Sequence, residues 1–175
     1  WNSGQFDSAD KKFNDALKVA EDGSAKQAAA QILNNLGGLH QQLGNLDKSL
    51  DYHERSLALK QELGDKVGIG MSYANLGVVY EIKGNYNRSI SYFMASLKID
   101  EEIGDRQGKS AAYNNIGIVY NHINELDKAL EYYTKALELK EEVNDKSGKG
   151  VLLMNIGLIH KNHGDLDKAL EMLEE

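Results

Sequence analysis

The fold is decided by one stretch, Asn115-Ile116-Gly117-Ile118-Val119-Tyr120-Asn121-His122-Ile123-Asn124-Glu125-Leu126-Asp127-Lys128-Ala129-Leu130. Its head returns every 40 residues, as Asn35-Leu36-Gly37, Asn75-Leu76-Gly77 and Asn155-Ile156-Gly157. Three residues after each Gly stands an aromatic or a histidine: His40, Tyr80, Tyr120 or His160. A second series keeps the period: Gly44, Gly84, Asn124 and Gly164 each precede an amphipathic stretch, with Gly4 as an earlier member. A fixed period of this size marks an array of stacked repeats, because one repeat cannot bury its apolar face alone.

Working outward from that stretch, each period holds two helices. Asp65 is a plausible N-cap, and Tyr73, Leu76, Gly77, Val79 and Tyr80 then recur at helical spacing until Gly84. A second helix follows with Tyr86, Ile90, Phe93, Leu97 and Ile99 as its apolar stripe, and Gly104-Asp105 restarts the cycle. Gly64-Asp65 and Asn144-Asp145 are the same turn. Gly and Asn tolerate the left-handed conformation at a helix end, and Asp caps the next helix. No proline and no strand-like alternation occur anywhere in the chain.

A glycine inside a helix costs about 1 kcal/mol relative to alanine. Accepting it at Gly37, Gly77, Gly117 and Gly157 implies close approach of the paired second helix. Ala28, Gly68, Gly108 and Gly148 share another position, read as the crossing point of the preceding unit's second helix. The units are placed at 1–24 (partial), 25–64, 65–104, 105–144 and 145–175, in a single elongated array. Gln5 to Glu21 reads as a second helix, and Leu166 to Glu175 as a second helix cut short. Neither has a polar outer face, so Phe6, Phe13, Leu17, Leu170 and Leu173 are expected to be partly bare, and end-to-end self-association is expected.

Composition excludes several classes. Net charge is −7, with 20 Lys and Arg against 27 Asp and Glu, which argues against nucleic acid or an anionic membrane as partner. The absence of cysteine removes disulfides and thiolate metal sites. No apolar run approaches the roughly 20 residues needed to span a bilayer. Residues 1–10 are polar, so no signal peptide is read there, and the cytoplasm is the expected compartment, with the bacterial periplasm as the alternative.

The unit N-[LI]-G-x-x-[YH]-x-x-x-[GN]-x-[LY]-[DN]-x-[AS]-[LI], represented by Asn115, Gly117, Tyr120, Leu126, Ala129, Tyr133 and Ala136, resembles the tetratricopeptide repeat. The resemblance covers nearly the whole chain. It departs from the usual pattern in having 40-residue units and no proline after the second helix, a variant similar to Pins-type adaptors, kinesin light chains and bacterial signalling proteins. It implies an all-α fold, a right-handed α-solenoid of antiparallel helix pairs, whose first helices line a concave groove for a protein or peptide ligand.

Carried over by motif, the groove residues are Asn34, Asn35, Met71, Asn75, Val78, Ile82, Asn114, Asn115, Ile118, His122, Asn155 and Leu158. Gly38 shares the row of Val78, Ile118 and Leu158. A side-chain amide both donates and accepts, so the ladder Asn35, Asn75, Asn115, Asn155 suits an extended backbone, with apolar contacts beside it. The competing account is that each Asn bonds neighbouring helix backbone. A Lys and Arg carboxylate clamp is not expected, since Lys161 is the only basic groove candidate.

Other signals carry less. Gly104 to Ser110 reads Gly-Asp-Arg-Gln-Gly-Lys-Ser, near a phosphate-binding loop, but it is one residue short and follows a helix. His160 and His163 have metal-compatible spacing, yet His160 falls at the aromatic packing position. His40 and His53 are expected to meet inside one helix pair, a possible pH-sensitive spot. Glu138 and Glu142 repel at i,i+4, with Lys140 relieving them. No catalytic set, metal or cofactor is expected, and the chain is read as a non-enzymatic peptide-binding scaffold. The alternatives are a sensory or regulatory region of a larger signalling protein, such as a bacterial histidine kinase, and a structural element that self-assembles through its ends.

Overall fold

The computed structural model describes residues 3–162 and 164–174, with the side chains of 3–5, 7 and 171–174 left aside. His163 and the Leu173 side chain, each named above, lie outside what it describes. The described residues form nine helices and no strand. They are α1 (Ser3–Asp22), α2 (Lys26–Gln42), α3 (Leu46–Leu63), α4 (Lys66–Ile82), α5 (Tyr86–Ile103), α6 (Arg106–His122), α7 (Leu126–Glu142), α8 (Lys146–Asn162) and α9 (Leu166–Glu174). None is long and apolar enough to cross a membrane. The chain divides into two compact units, Trp1–Asn85 with α1–α4 and Tyr86–Glu175 with α5–α9.

The turns follow from residues that accept a positive φ. Gly64 sits at φ 67° after α3, while Asn124 and Asn144 adopt φ 61° and 54° in the same role. After Gly64, Gly104 and Asn144 the next residue caps the helix that follows, whereas Glu125 after Asn124 makes no such side-chain bond. Asp65 accepts from the Gly68 amide at 2.9 Å, Asp105 from Gln107 and Gly108, and Asp145 from Gly148. These carboxylates take up amide groups that a helix start otherwise leaves unsatisfied. At Gly104–Ser110, the phosphate-loop-like stretch, the amides of the α6 start are therefore engaged by Asp105.

Within the first unit, α1, α2 and α3 enclose a core of Leu17, Ala20, Ala29, Leu33 and Leu36, with Phe13, Ile32, Tyr52 and Leu59 against it. Each fully buried leucine contributes about 2 kcal/mol from removal of apolar surface. Leu17 is thus buried, contrary to the expectation of a bare terminal face, because Leu33 and Leu36 of α2 cover it. The second unit's core is Ala129, Tyr133, Ala136, Leu152, Ile156 and Ile159. Leu166 and Leu170 of α9 are 65% and 58% exposed, as expected for Leu170.

The mid-helix glycines make room for a ring. A Cβ on Gly37 would lie 2.6 Å from His53, and one on Gly117 would lie 2.7 Å from Tyr133. Both rings are fully buried on the partner helix, so the closeness lies between helix backbone and aromatic face. His40 and His53 have separate surroundings: His40 stacks on Tyr52 at 5.3 Å and approaches Asp10 at 3.1 Å, while His53 faces Gly37. The expected meeting of the two histidines does not occur, because His40 turns towards α1 and His53 towards the α2 backbone.

At three crossings of a second helix with the next first helix, the crossing position holds a charge, while the equivalent position on α1 is Ala20. In the first unit Lys60 of α3 is buried against Gly68, and its Nζ donates to Ser72 Oγ at 2.9 Å. In the second unit Lys140 lies against Gly148 and donates to Asp145 at 2.8 Å. Asp100 fills the corresponding place against Gly108. Small residues at 68, 108 and 148 do mark the crossing, while Ala28 is exposed. Within residues 138–142, Glu142 pairs with Arg106 of α6 at 2.8 Å, and Lys140 pairs with Asp145 in the turn that follows α7.

Buried charge perturbs protonation. Burial lowers the Lys60 ammonium below its ordinary range, against the opposing attraction of Asp65. Asp100 is raised to about 6 by burial and then by the Asp105 charge, with the Ser96 hydroxyl, 3.4 Å away, opposing the rise.

Candidate functional site

The first helices carry the candidate site in both units. On α4, residues 67, 71, 75, 78 and 82 recur at three- and four-residue intervals, so they form one stripe. Val67, Met71 and Ile82 are more than half exposed on it, and Val78 and Asn75 are half-buried. On α8 the corresponding stripe is Val151, Met154, Asn155 and Leu158, again with three exposed apolar side chains around one amide. No residue of either stripe is ionisable, so each is a neutral surface in a chain that carries net negative charge.

The twelve residues carried over by motif are all exposed or half-buried: Asn34, Asn35, Met71, Asn75, Val78, Ile82, Asn114, Asn115, Ile118, His122, Asn155 and Leu158. Two of them also do structural work. Ile118 packs against the core around Tyr133, and the His122 ring lies 5.9 Å from Tyr86.

The amides are paired by side chain. Asn75 Nδ2 donates to Asn34 Oδ1 at 2.9 Å, and Asn155 Nδ2 donates to Asn114 Oδ1 at 3.3 Å. Both pairs are 41 residues apart and join successive first helices of one unit. Asn35 accepts from Gln31 at 3.2 Å. Asn115 has no side-chain hydrogen bond among the described residues. Neither a row of four equivalent amides nor bonds to helix backbone describes this arrangement. Each pair keeps one donor and one acceptor edge available, because an amide has two donors and two lone pairs.

The first unit also has a cavity of about 420 Å³ beside α2. Phe6, Ala9, Phe13 and Leu39 form its apolar wall. Asn34, Asn35, Asn75, Gln41 and Gln42 supply amides, and the His53 ring and Gly38 complete it. A Cβ at Gly38 would meet no atom within 4 Å, so the space beside it is open. His53 is 1% exposed, and neither ring nitrogen has a hydrogen-bond partner among the described residues. Burial, and then the Lys60 charge, lowers its pKa to about 4, so the imidazole is neutral at pH 7. The motif reasoning missed this feature. Its signal in the sequence is Gly38, which stands where the other repeats have Val78, Ile118 and Leu158.

Comparison with known proteins agrees with the helix-pair fold. The tetratricopeptide repeat family model matches residues 28–102, 68–142 and 108–175. No curated protein sequence matches significantly. Among solved structures, BtubC (BKLC) from P. vanneervenii is similar over 98% of this chain and 71% of its own, at 21% identity and a TM-score of 0.86. A putative kinesin light chain with nearly identical TPR-like repeats from Podosopora anserina is similar over 98% and 85%, at 13% identity and 0.77. A STAND signal-transduction ATPase with a tetratricopeptide repeat sensor, from Pyrococcus horikoshii, matches over 89% of this chain at 22% identity and 0.79, and the chain spans 24% of that protein's length. With matching repeats from residue 28 to residue 175 and the helix-pair fold described above, the chain belongs to the tetratricopeptide repeat family.

Proposed function

We propose that the chain is a protein–protein interaction scaffold that holds a peptide segment of a partner along its first helices. The observation that carries this reading is the neutral stripe of exposed apolar side chains around a paired amide, present on α4 and again on α8. Three solvent-facing apolar residues on one helix face are unfavourable in water unless a partner covers them. The paired amides leave donor and acceptor edges beside those apolar contacts, which suits a backbone flanked by side chains. Side chains held on a packed helix face within each unit limit the ordering entropy of binding largely to that of the peptide. Lack of ionised groups on the stripes favours neutral, apolar segments over charged ones.

The test is selection from a displayed peptide library, followed by titration of the enriched peptides against Met71→Asp with Ile82→Asp, and against Leu158→Asp. Loss of at least tenfold in affinity, with an unchanged melting transition, supports the reading. Enriched peptides that bind these variants as tightly as the parent overturn it. A second reading, a sensory region of a larger signalling protein, is favoured by the likeness to the sensor-bearing STAND protein. It uses the same face and differs only in what the array is attached to.

A further inference from the structure

We infer that the groove between α1 and α2 is a docking site for a helix of a partner protein, one that carries an asparagine three residues before a glycine. The site takes a helix instead of an extended segment, and it is separate from the stripes on α4 and α8.

Phe6, Ala9, Phe13 and Ala16 recur on α1 at three- and four-residue intervals, so they form one apolar stripe. Phe6, Ala9 and Phe13 line the groove opposite Asn35, Gly38 and Gln42 of α2, and no ionised side chain lines it. The repeat shows what covers such a stripe. Forty residues on, the places of Ala9, Phe13 and Ala16 are held by Ser49, His53 and Ser56 of α3. All three are buried against α2, through Gly37 and Ala30. In the second unit the places are held by Ala129, Tyr133 and Ala136 of α7, again buried, with α6 meeting them through Gly117 and Ser110. On α1, by contrast, Ala9 and Phe13 are half-buried and Ala16 is exposed.

Both covering helices share one pattern, Asn34 with Gly37 on α2 and Asn114 with Gly117 on α6. The glycine clears the ring on the second helix, and the asparagine accepts from the amide of the next first helix, Asn75 or Asn155. Asn35 is the same donor position on α2. Its Nδ2 has no acceptor among the described residues, and it is exposed where Asn75 and Asn155 are half-buried. The amide contacts between first helices thus continue past α2 into the groove. A second copy does not supply the helix. Its α2 and α6 are already seated on His53 and Tyr133, and its α4 and α8 have Ala74 and Met154 in place of the asparagine.

The experiment titrates the 175-residue chain with a fluorescein-labelled peptide of the α6 sequence, Arg106 to His122, read by anisotropy and by the helical circular dichroism gained on mixing. The peptide should bind with a Kd of about 10–100 μM, since an isolated helix of this length must be ordered on binding. Gly117→Leu in the peptide should weaken binding about tenfold, and Asn114→Ala about three- to fivefold. In the chain, Ala16→Glu should weaken it about tenfold with an unchanged melting transition, because Ala16 is exposed. Asn35→Ala should match the loss from Asn114→Ala. Met71→Asp with Ile82→Asp, Leu158→Asp and Leu170→Asp should leave binding unchanged. Binding that ignores Ala16→Glu or the Gly117→Leu peptide, binding without gain of helix, or no binding at ~1 mM peptide would each overturn the docking site. A dimer of the chain that Ala16→Glu dissolves would also overturn it, by giving the groove to a second copy. Library peptides that still depend on Met71 and Ile82 would then leave the scaffold reading standing.

Discussion

Asn75 donates from its side-chain amide to the side-chain Oδ1 of Asn34 across 2.9 Å, tying α4 to α2 on the face proposed to hold a ligand. The bond gives Asn75 a structural role beside any binding role, and Asn115 lacks such a bond among the described residues. Asn75→Ala should therefore lower stability by about 1 kcal/mol. Asn115→Ala should leave stability within about 0.5 kcal/mol of the parent and weaken a selected peptide. Denaturant titrations alongside peptide binding check both; equal stability losses would refute the distinction.

Asp100 should make the second unit less stable as pH rises. Its folded pKa of about 6 lies above the ordinary 3.8, so the native state holds the proton more tightly than the unfolded chain. The stabilising contribution is complete below about pH 4 and is lost as pH climbs through 6. Asp100→Asn should remove that loss, making the chain more stable than the parent above pH 6 by up to about 2–3 kcal/mol and no different at pH 4. Denaturant midpoints measured from pH 4 to 8 would show it.

His53 should act in the opposite direction. Its pKa falls from 6.5 to about 4 on folding, so the unfolded chain binds the proton more readily. The contribution of the neutral ring is present above about pH 6.5 and lost as pH falls towards 4. His53→Phe should abolish this acid loss, worth roughly 2–3 kcal/mol. The parent, with both groups titrating in one window, should show a flatter pH profile than either variant.

Two helix glycines should respond oppositely to alanine. Gly117→Ala places a Cβ 2.7 Å from the buried Tyr133 ring and should cost about 1–3 kcal/mol. Gly150, inside α8, meets no atom within 4 Å, so Gly150→Ala should stabilise by about 0.5–1 kcal/mol. Thermal unfolding of the two single variants decides it. Coupling of Gly117→Ala with Tyr133→Leu in a double-mutant cycle should recover part of the loss.

Much of this was legible without coordinates. The head Asn-[Leu/Ile]-Gly, the Gly or Asn turns and the Asp caps act through neighbours within a few residues, and their 40-residue return places every described helix. The face proposed to hold a ligand was also accessible, since the family resemblance names Met71, Asn75, Val78 and Ile82 and helical spacing puts them on one stripe. What periodicity could not show was how unlike residues behave at equivalent positions. Lys60, Asp100 and Lys140 share a register, yet only the packing against Gly68, Gly108 and Gly148 reveals that the carboxylate is buried beside another acid.

The sequence by itself determined the helix pairs, their turns and the face that carries the candidate site, because those depend on local propensity and on a repeated pattern of burial. Tertiary structure decided which of those residues are engaged. That Asn75 reaches Asn34, that Leu17 is covered, and that His53 is buried against Gly37 depend on side chains many positions apart meeting in space. Distances of that kind follow from how helices pack, and no spacing along the chain encodes them.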